Sequence, residues 1–344
     1  MKQIRTEDAV GHVLCHDMTQ IIPGKYKGPV FKKGHIVTEE DIPVLLSIGK
    51  EHLYVWEKTD GMLHEDEAAQ ILRDLAIGPH MTASEPSEGK IELKAACDGL
   101  FKVNRKALLA INSTPQMMIA TRFGDTPVKA GDKLAGTRII PLVIEKEKMD
   151  DLVRRTREVT EGESVLALKP FVHKKVGIVT TGSEVSKGRI KDTFTPVLIR
   201  KLEVFDTELI GHEVTEDDDR KTTAAIRRLL DAGADVILCT GGMSVDPDDR
   251  TPGAIAQSGV RVVTYGAPVL PGAMFCLGYF DDGTPVVGLP GCVMYAKTTI
   301  LDVALPRIAA DVPMTRADFA RMGHGGLCLN CEVCRYPVCA LGMG

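Results

Sequence analysis

Lys175-Val176-Gly177-Ile178-Val179-Thr180-Thr181-Gly182-Ser183-Glu184 decides the fold of this chain. The apolar run from Lys175 to Val179 predicts a buried strand, and the Thr-Gly-Ser after it predicts a tight turn. Glycine in such a turn lets backbone N–H groups approach an anion closely, and a helix beginning there adds its positive end. The arrangement recurs twice after short apolar runs, at Gly241-Gly242-Met243-Ser244 and at Leu289-Pro290-Gly291-Cys292. Three such turns on one sheet predict a single phosphate-bearing ligand.

Outward from this stretch the chain has the rhythm of a parallel α/β sheet. A helix is expected over 195–205, a strand over 207–212, a helix over 220–231 and a buried strand over 235–239. Further strands are expected at 260–264, 274–277 and 285–287, with Asp281-Asp282-Gly283-Thr284 as a hairpin turn. Each helical stretch is long enough for a right-handed crossover. In such sheets ligands collect at the carboxyl ends of the strands, where all three glycine turns fall.

These residues resemble the molybdopterin-binding fold of molybdenum-cofactor biosynthesis proteins, in particular the molybdopterin molybdenumtransferase family. The resemblance rests on Thr181-Gly182-Ser183-Glu184, Gly188-x-Ile190-x-Asp192, Glu216-Asp217-Asp218, and Gly241-Gly242-Met243-Ser244-Val245 continuing to Asp249 and Thr251. Pro271-Gly272 and Leu289-Pro290-Gly291 complete it, over roughly residues 174–310. It implies binding of a pterin bearing a dithiolene and a phosphate, in free or adenylylated form, and insertion of molybdate with Mg2+. Glu184, Asp249 and Asp217 or Asp218 are then the acids beside the metal and pyrophosphate, since Mg2+ prefers oxygen ligands. Thr181, Gly182, Ser183, Asp192, Gly241, Gly242, Ser244, Pro271, Gly272, Pro290 and Gly291 line the pterin and phosphate pocket.

Asp8-Ala9-Val10-Gly11-His12-Val13-Leu14 also resembles the start of the transferase family. The family's Ser-x-Met-Asp-Gly-Tyr-Ala and Thr-Gly-Ala-x-x-Pro segments have no counterpart. Pro271-Gly272-Ala273-Met274 stands where the family has Pro-Gly-Lys-Pro, Phe194 where it has Asn, and Cys292-Val293 where it has Asn-Pro. The resemblance therefore carries two functions: an enzyme inserting molybdate (or tungstate), and a non-catalytic molybdopterin carrier or sensor. Family members usually act as dimers, which makes a homodimer the expected assembly.

Before residue 174 the pattern is less regular. A helix through Ile42, Val44, Leu45 and Ile48, ended by Gly49, leads into a strand over 52–56. A second helix runs through Ala68, Ile71, Leu72 and Leu75, and a polar loop spans 81–90. Strands over 116–120 and 138–144 flank Gly-Asp turns at Gly124-Asp125 and Gly131-Asp132, and a helix follows over 146–159. Lys25, Lys27, Lys32 and Lys33 read as a solvated loop. The expected organisation is an accessory segment (1–60), a β-rich α+β middle domain (61–170), a molybdopterin-binding-like α/β core (171–312) and a short Cys-rich tail (313–344).

That tail, Gly323-His324-Gly325-Gly326-Leu327-Cys328-x-x-Cys331-x-x-Cys334-x-x-x-x-Cys339, has ligand spacing. Separated C-x2-C pairs typify zinc sites, whereas close C-x2-C-x2-C runs with a remote fourth Cys typify iron–sulfur clusters. Either occupant is open at this point, as is docking on a molybdoenzyme or another cofactor-biosynthesis protein. The net charge of −5 over 344 residues offers no global attraction to nucleic acid or an anionic membrane. With no apolar leader or span of roughly 20 residues, a cytoplasmic protein is expected.

Overall fold

The computed structural model describes residues 2–55, 60–247 and 249–343. Compactness divides the chain into two units: residues 1–94, 104–122 and 133–166 form the first, and 95–103, 123–132 and 167–344 the second.

The first unit opens with Lys2–Arg5 paired antiparallel to His52–Val55. Trp56, expected in that strand, lies outside the described residues. A helix Asp41–Ser47 is followed by Gly49 at φ +80°, and Leu14, Met18, Val37, Leu45 and Leu53 close a small core. The lysine-rich stretch is a hairpin, Met18–Ile22 with Tyr26–Phe31, where a loop was expected. The helix Glu65–Ala76 is capped reciprocally: the His64 ring accepts the Asp66 N–H, and Glu67 accepts the N–H of His64. Met81–Ala83, Lys90–Ala95, Lys133–Ile139 and Met117–Thr121 make a four-stranded sheet, so part of the expected 81–90 loop is strand. The strand expected over 138–144 is broken instead into Lys133–Ile139 and Val143–Glu145. Pro141 stands in the break, where its missing N–H cannot serve a ladder.

The main sheet of the second unit has six strands: β1 (Lys174–Thr181), β2 (Thr207–Thr215), β3 (Val236–Thr240), β4 (Arg261–Tyr265), β5 (Cys276–Tyr279) and β6 (Pro285–Leu289). Their order across the sheet is β2-β1-β3-β6-β5-β4. The first four are parallel, β5 alone runs antiparallel to both of its neighbours, and the hairpin expected at Asp281–Thr284 joins β5 to β6. The reason is local: the Asp281–Thr284 turn is too short for a crossover, so β5 and β6 must form a hairpin.

Helices α1 (Thr195–Leu202), α2 (Asp219–Asp231), α3 (Thr251–Gln257), α4 (Ile300–Ala309) and α5 (Arg316–Met322) complete this part. Val176, Ile178, Leu238, Val287 and Leu289 pack with Leu198, Leu202, Leu301 and Leu305 on one face of the sheet. On the other face Val179, Ile237, Cys239 and Val286 meet Ile226, Leu229 and Ile255. Each such side chain withdrawn from water contributes about 1.5–3 kcal/mol, and burial on both faces explains why β1 and β3 read as continuous apolar runs. Among the described residues no helix is long and apolar enough to cross a membrane.

Candidate functional site

Because β2, β1, β3 and β6 are neighbouring parallel strands, the loops after them leave one edge of the sheet side by side. These loops are Glu216–Asp218, Gly182–Glu184, the Gly241–Arg250 connection and Pro290–Gly291. β5 starts at the same edge, since Cys276 pairs with Gly288, and this brings in Pro271–Gly272 ahead of it. The structure thus places all eleven expected pocket residues along one rim except Asp192, which enters from the segment before α1.

Contacts between the turns are close. Gly241 has φ +83°, and a Cβ there would lie 2.2 Å from the Thr181 carbonyl oxygen, so only glycine lets the second turn touch the first. Thr181 ties the two together: its Oγ1 donates to the Thr240 carbonyl at 3.1 Å and lies 3.0 Å from the Thr251 hydroxyl. Gly272 packs its backbone against Ile300, where a Cβ would come within 2.4 Å of a side-chain carbon. Tyr265, which sequence reasoning missed, donates from its hydroxyl to the carbonyls of Met243 and Ser244 and so braces the second turn from β4. Ser183 is half-buried, while Ser244 and Gly291 are exposed at the rim.

What the first turn offers an anion is backbone amides. The helix expected to add its positive end there is only Ser183–Ser186, a single turn, too short for a macrodipole of consequence. Instead the Ser183 N–H donates to Asp217 Oδ2 at 2.8 Å, so the turn already holds an anionic oxygen. Asp218 is the N-cap of α2: its Oδ1 accepts the Lys221 N–H at 2.9 Å, and that bond holds its carboxyl below the usual range. Asp249 Oδ2 accepts the Asp246 N–H at 3.1 Å, and Glu184 is exposed.

All four acids therefore sit on loops of one edge, yet among the described residues no three His, Cys, Asp or Glu side chains are close enough to hold a metal ion. The Mg2+ cage expected from Glu184, Asp217, Asp218 and Asp249 is not preformed. The physical reason is that three of the carboxylates are spent on separate backbone amides, Asp217 on that of Ser183 in the neighbouring turn and Asp218 and Asp249 on amides of their own loops.

Asp192 has a different environment. Its Oδ1 accepts the N–H groups of Phe194 and Thr195, opening the turn into α1, whereas its Oδ2 is buried with no hydrogen-bond partner. Burial opposes ionisation, but the hydroxyl and amide donors of Thr195 and the amide of Phe194 prevail and hold the carboxyl below its ordinary value. His212 Nε2 lies 3.7 Å from Asp192 Oδ2 and 2.9 Å from the Thr180 hydroxyl. His212, Thr180 and Thr195 were not foreseen, although a polar residue inside each apolar or helical run was the available signal.

The four tail cysteines behave unlike the glycine turns. Among the described residues they form no ready-made group for a single metal ion, whereas tetrahedral zinc needs four ligands at about 2.3 Å from one centre. Cys334 Sγ lies 3.0 Å from the Thr298 hydroxyl, Cys328 and Cys339 pack on the sheet core, and Cys331 is exposed.

Comparison with known proteins bears on the sheet and on the N-terminal segment. Residues 177–310 match a family model described as "probable molybdopterin binding domain", and residues 3–57 match one described as a domain of unknown function. A CinA-like protein of Mycobacterium avium (strain 104) is 33% identical over 98 residues, 28% of this chain and 23% of that one. A CinA-like protein of Desulfosudis oleivorans is 37% identical over 81 residues, 24% of this chain and 19% of that one. The chain thus spans about a fifth to a quarter of the length of these curated relatives. Among solved structures, the molybdopterin biosynthesis enzyme MoaB of Thermus thermophilus is 21% identical, with 42% of this chain and 97% of that one covered and a TM-score of 0.34. Residues 177–310, which carry the glycine turns, thus match the model of a probable molybdopterin binding domain.

Proposed function

We propose that this chain works in molybdenum cofactor biosynthesis by holding molybdopterin along the rim formed by Gly182–Ser183, Gly241–Ser244 and Pro290–Gly291. One observation carries the reading: Gly241 is pressed against Thr181 at a distance that excludes any Cβ, which turns two loops into one continuous amide-lined cradle. A phosphate oxygen would take the place that Asp217 Oδ2 holds at the Ser183 N–H, a charge-assisted bond in either case. Hydroxyls of Ser183 and Ser244 supply further donors. The pterin ring would lie toward Pro271 and Pro290, and a homodimer is the assembly in which we expect the cradle to work.

The finer reading is insertion of molybdate or tungstate into adenylylated molybdopterin, and the presence of Glu184, Asp217, Asp218 and Asp249 on one edge favours it. The rival, a carrier or sensor, is favoured by the commitment of three of these acids to amides and by Ala273 at the position of the family's lysine. Isothermal titration with molybdopterin and with its adenylylated form tests the shared claim, and AMP release in the presence of molybdate separates the two. Binding with AMP release lost in Glu184→Ala indicates the enzyme. Binding without release, unchanged in Glu184→Ala, indicates the carrier, and absence of binding to both pterins refutes the proposal.

A further inference from the structure

Among the described residues the tail after α5 carries no helix or strand element, yet it is firmly built onto the second unit. Leu270 donates its N–H to the Gly326 carbonyl, and Cys328 donates to the Leu270 carbonyl, both at 2.8 Å. Gly326 approaches Pro268 so closely that a Cβ would lie 2.1 Å from its carbonyl oxygen, and Gly325, at φ +81°, sits against Ala340 in the same way. The Tyr336 hydroxyl donates to the Asp302 carbonyl at 2.7 Å, and Leu341 and Met343 are buried. A loose cysteine-bearing appendage would have none of these anchors.

What the anchors enclose is a cavity of about 760 Å³ whose wall includes Cys328, Cys331, Cys334 and Cys339. The rest of the wall combines apolar side chains such as Leu270, Leu327 and Leu341 with two cations, Lys297 and Arg335. Lys297 Nζ donates to the Glu332 carbonyl at 2.7 Å, which holds its charge beside the second and third cysteines.

We propose that this cavity houses an iron–sulfur cluster ligated by Cys328, Cys331, Cys334 and Cys339. The close C-x2-C-x2-C run with a fourth Cys beyond it has the spacing of iron–sulfur ligands, and all four sulfurs line one cavity with room for a multi-atom cluster. Four thiolates and the cluster carry net negative charge, which Lys297 and Arg335 offset. The Thr298 hydroxyl, 3.0 Å from Cys334 Sγ, supplies the hydrogen bond to sulfur that tunes such centres. Pro271 belongs to both the cavity wall and the glycine rim, so the cluster would border the cradle described above.

The test uses the full chain without any pterin, so its outcome is independent of the cradle. The protein is reconstituted anaerobically with ferrous iron and sulfide, desalted, and measured for iron, acid-labile sulfide, visible sulfur-to-iron charge-transfer absorption and paramagnetic resonance after reduction. The expected result is about four iron and four sulfide per chain, falling at least about tenfold in Cys331→Ser/Cys334→Ser and unchanged in Cys292→Ser. Far-UV circular dichroism establishes that the double variant keeps its fold, and Cys331→Ser alone, at an exposed position, repeats the test with the least disturbance. Zinc without iron, a folded protein that takes up no iron, or iron retained by the double variant would each overturn the assignment.

Discussion

The glycine rim and the cysteine tail are two ways of preparing a site on the same unit. In the rim, the sheet positions the loops and the groups on offer are backbone amides, so what matters is how closely main chains can approach. In the tail there is no ladder to set positions; glycine contacts and a few buried side chains hold a path whose useful groups are side-chain sulfurs. Loss of a side chain should therefore be mild in the rim and serious in the tail, whereas an added methyl should be harmful in both wherever two backbones touch.

The largest effect is expected from Gly241→Ala. Its Cβ would meet the Thr181 carbonyl at 2.2 Å in a backbone of φ +83°, so chemical denaturation should show a loss of about 4 kcal/mol. Gly291→Ala, in the third turn, has no atom within 4 Å of its Cβ and should stay within about 0.5 kcal/mol of the parent. Equal effects at the two positions would end the claim that close approach, not glycine content, builds the rim.

Gly326→Ala is the matching test in the tail. The clash with the Pro268 carbonyl should cost about 3 kcal/mol locally, read as early proteolytic cleavage after residue 322 while β1–β6 remain protected from hydrogen exchange. A loss of protection spread over the whole sheet would mean that the tail is part of the core.

A third expectation uses the first unit as a pH-dependent reference for the other two regions. Glu65 is buried, and desolvation, with Asp66 adding to it, raises its carboxyl to about 7. Its folded value exceeds the unfolded one, so the favourable contribution is complete below the unfolded value and is lost as pH rises through about 7. Glu65→Gln, neutral at every pH, should match the parent near pH 4 and exceed it by about 1–3 kcal/mol at pH 8. Urea titrations at the two pH values check this, and a parent–variant gap independent of pH would contradict it.

The smallest change sharpens the view of the tail. Burial keeps the Tyr336 phenol protonated, and its hydrogen bond to the Asp302 carbonyl should be worth about 1 kcal/mol in a comparison of Tyr336→Phe with the parent. The same variant should speed thiol labelling of Cys334 and Cys339, with no change at Cys97.

The helices and strands of residues 174–310 were legible because burial on both faces writes apolar runs of strand length and the crossovers between them write helical periods. The antiparallel turn at β5 was visible only as a short Asp-Asp-Gly-Thr loop, whose length settles direction once the strands are known to be adjacent. The breaks in the first unit were harder to see. Over 138–144, the apolar run continues through Pro141, whose missing ladder donor marks the division of the strand.

By itself, the sequence determined which residue types stand at the strand ends, the glycines that permit close approach and the four-cysteine spacing, because these are properties of local backbone freedom and of chain order. Tertiary structure alone decided that Gly241 rests on Thr181, that Asp217 occupies the Ser183 amide, that Asp192 keeps one unpartnered oxygen, and that four sulfurs line one cavity. Those facts depend on distances between segments far apart in the chain, and such distances arise only when the sheet and its packing bring them together.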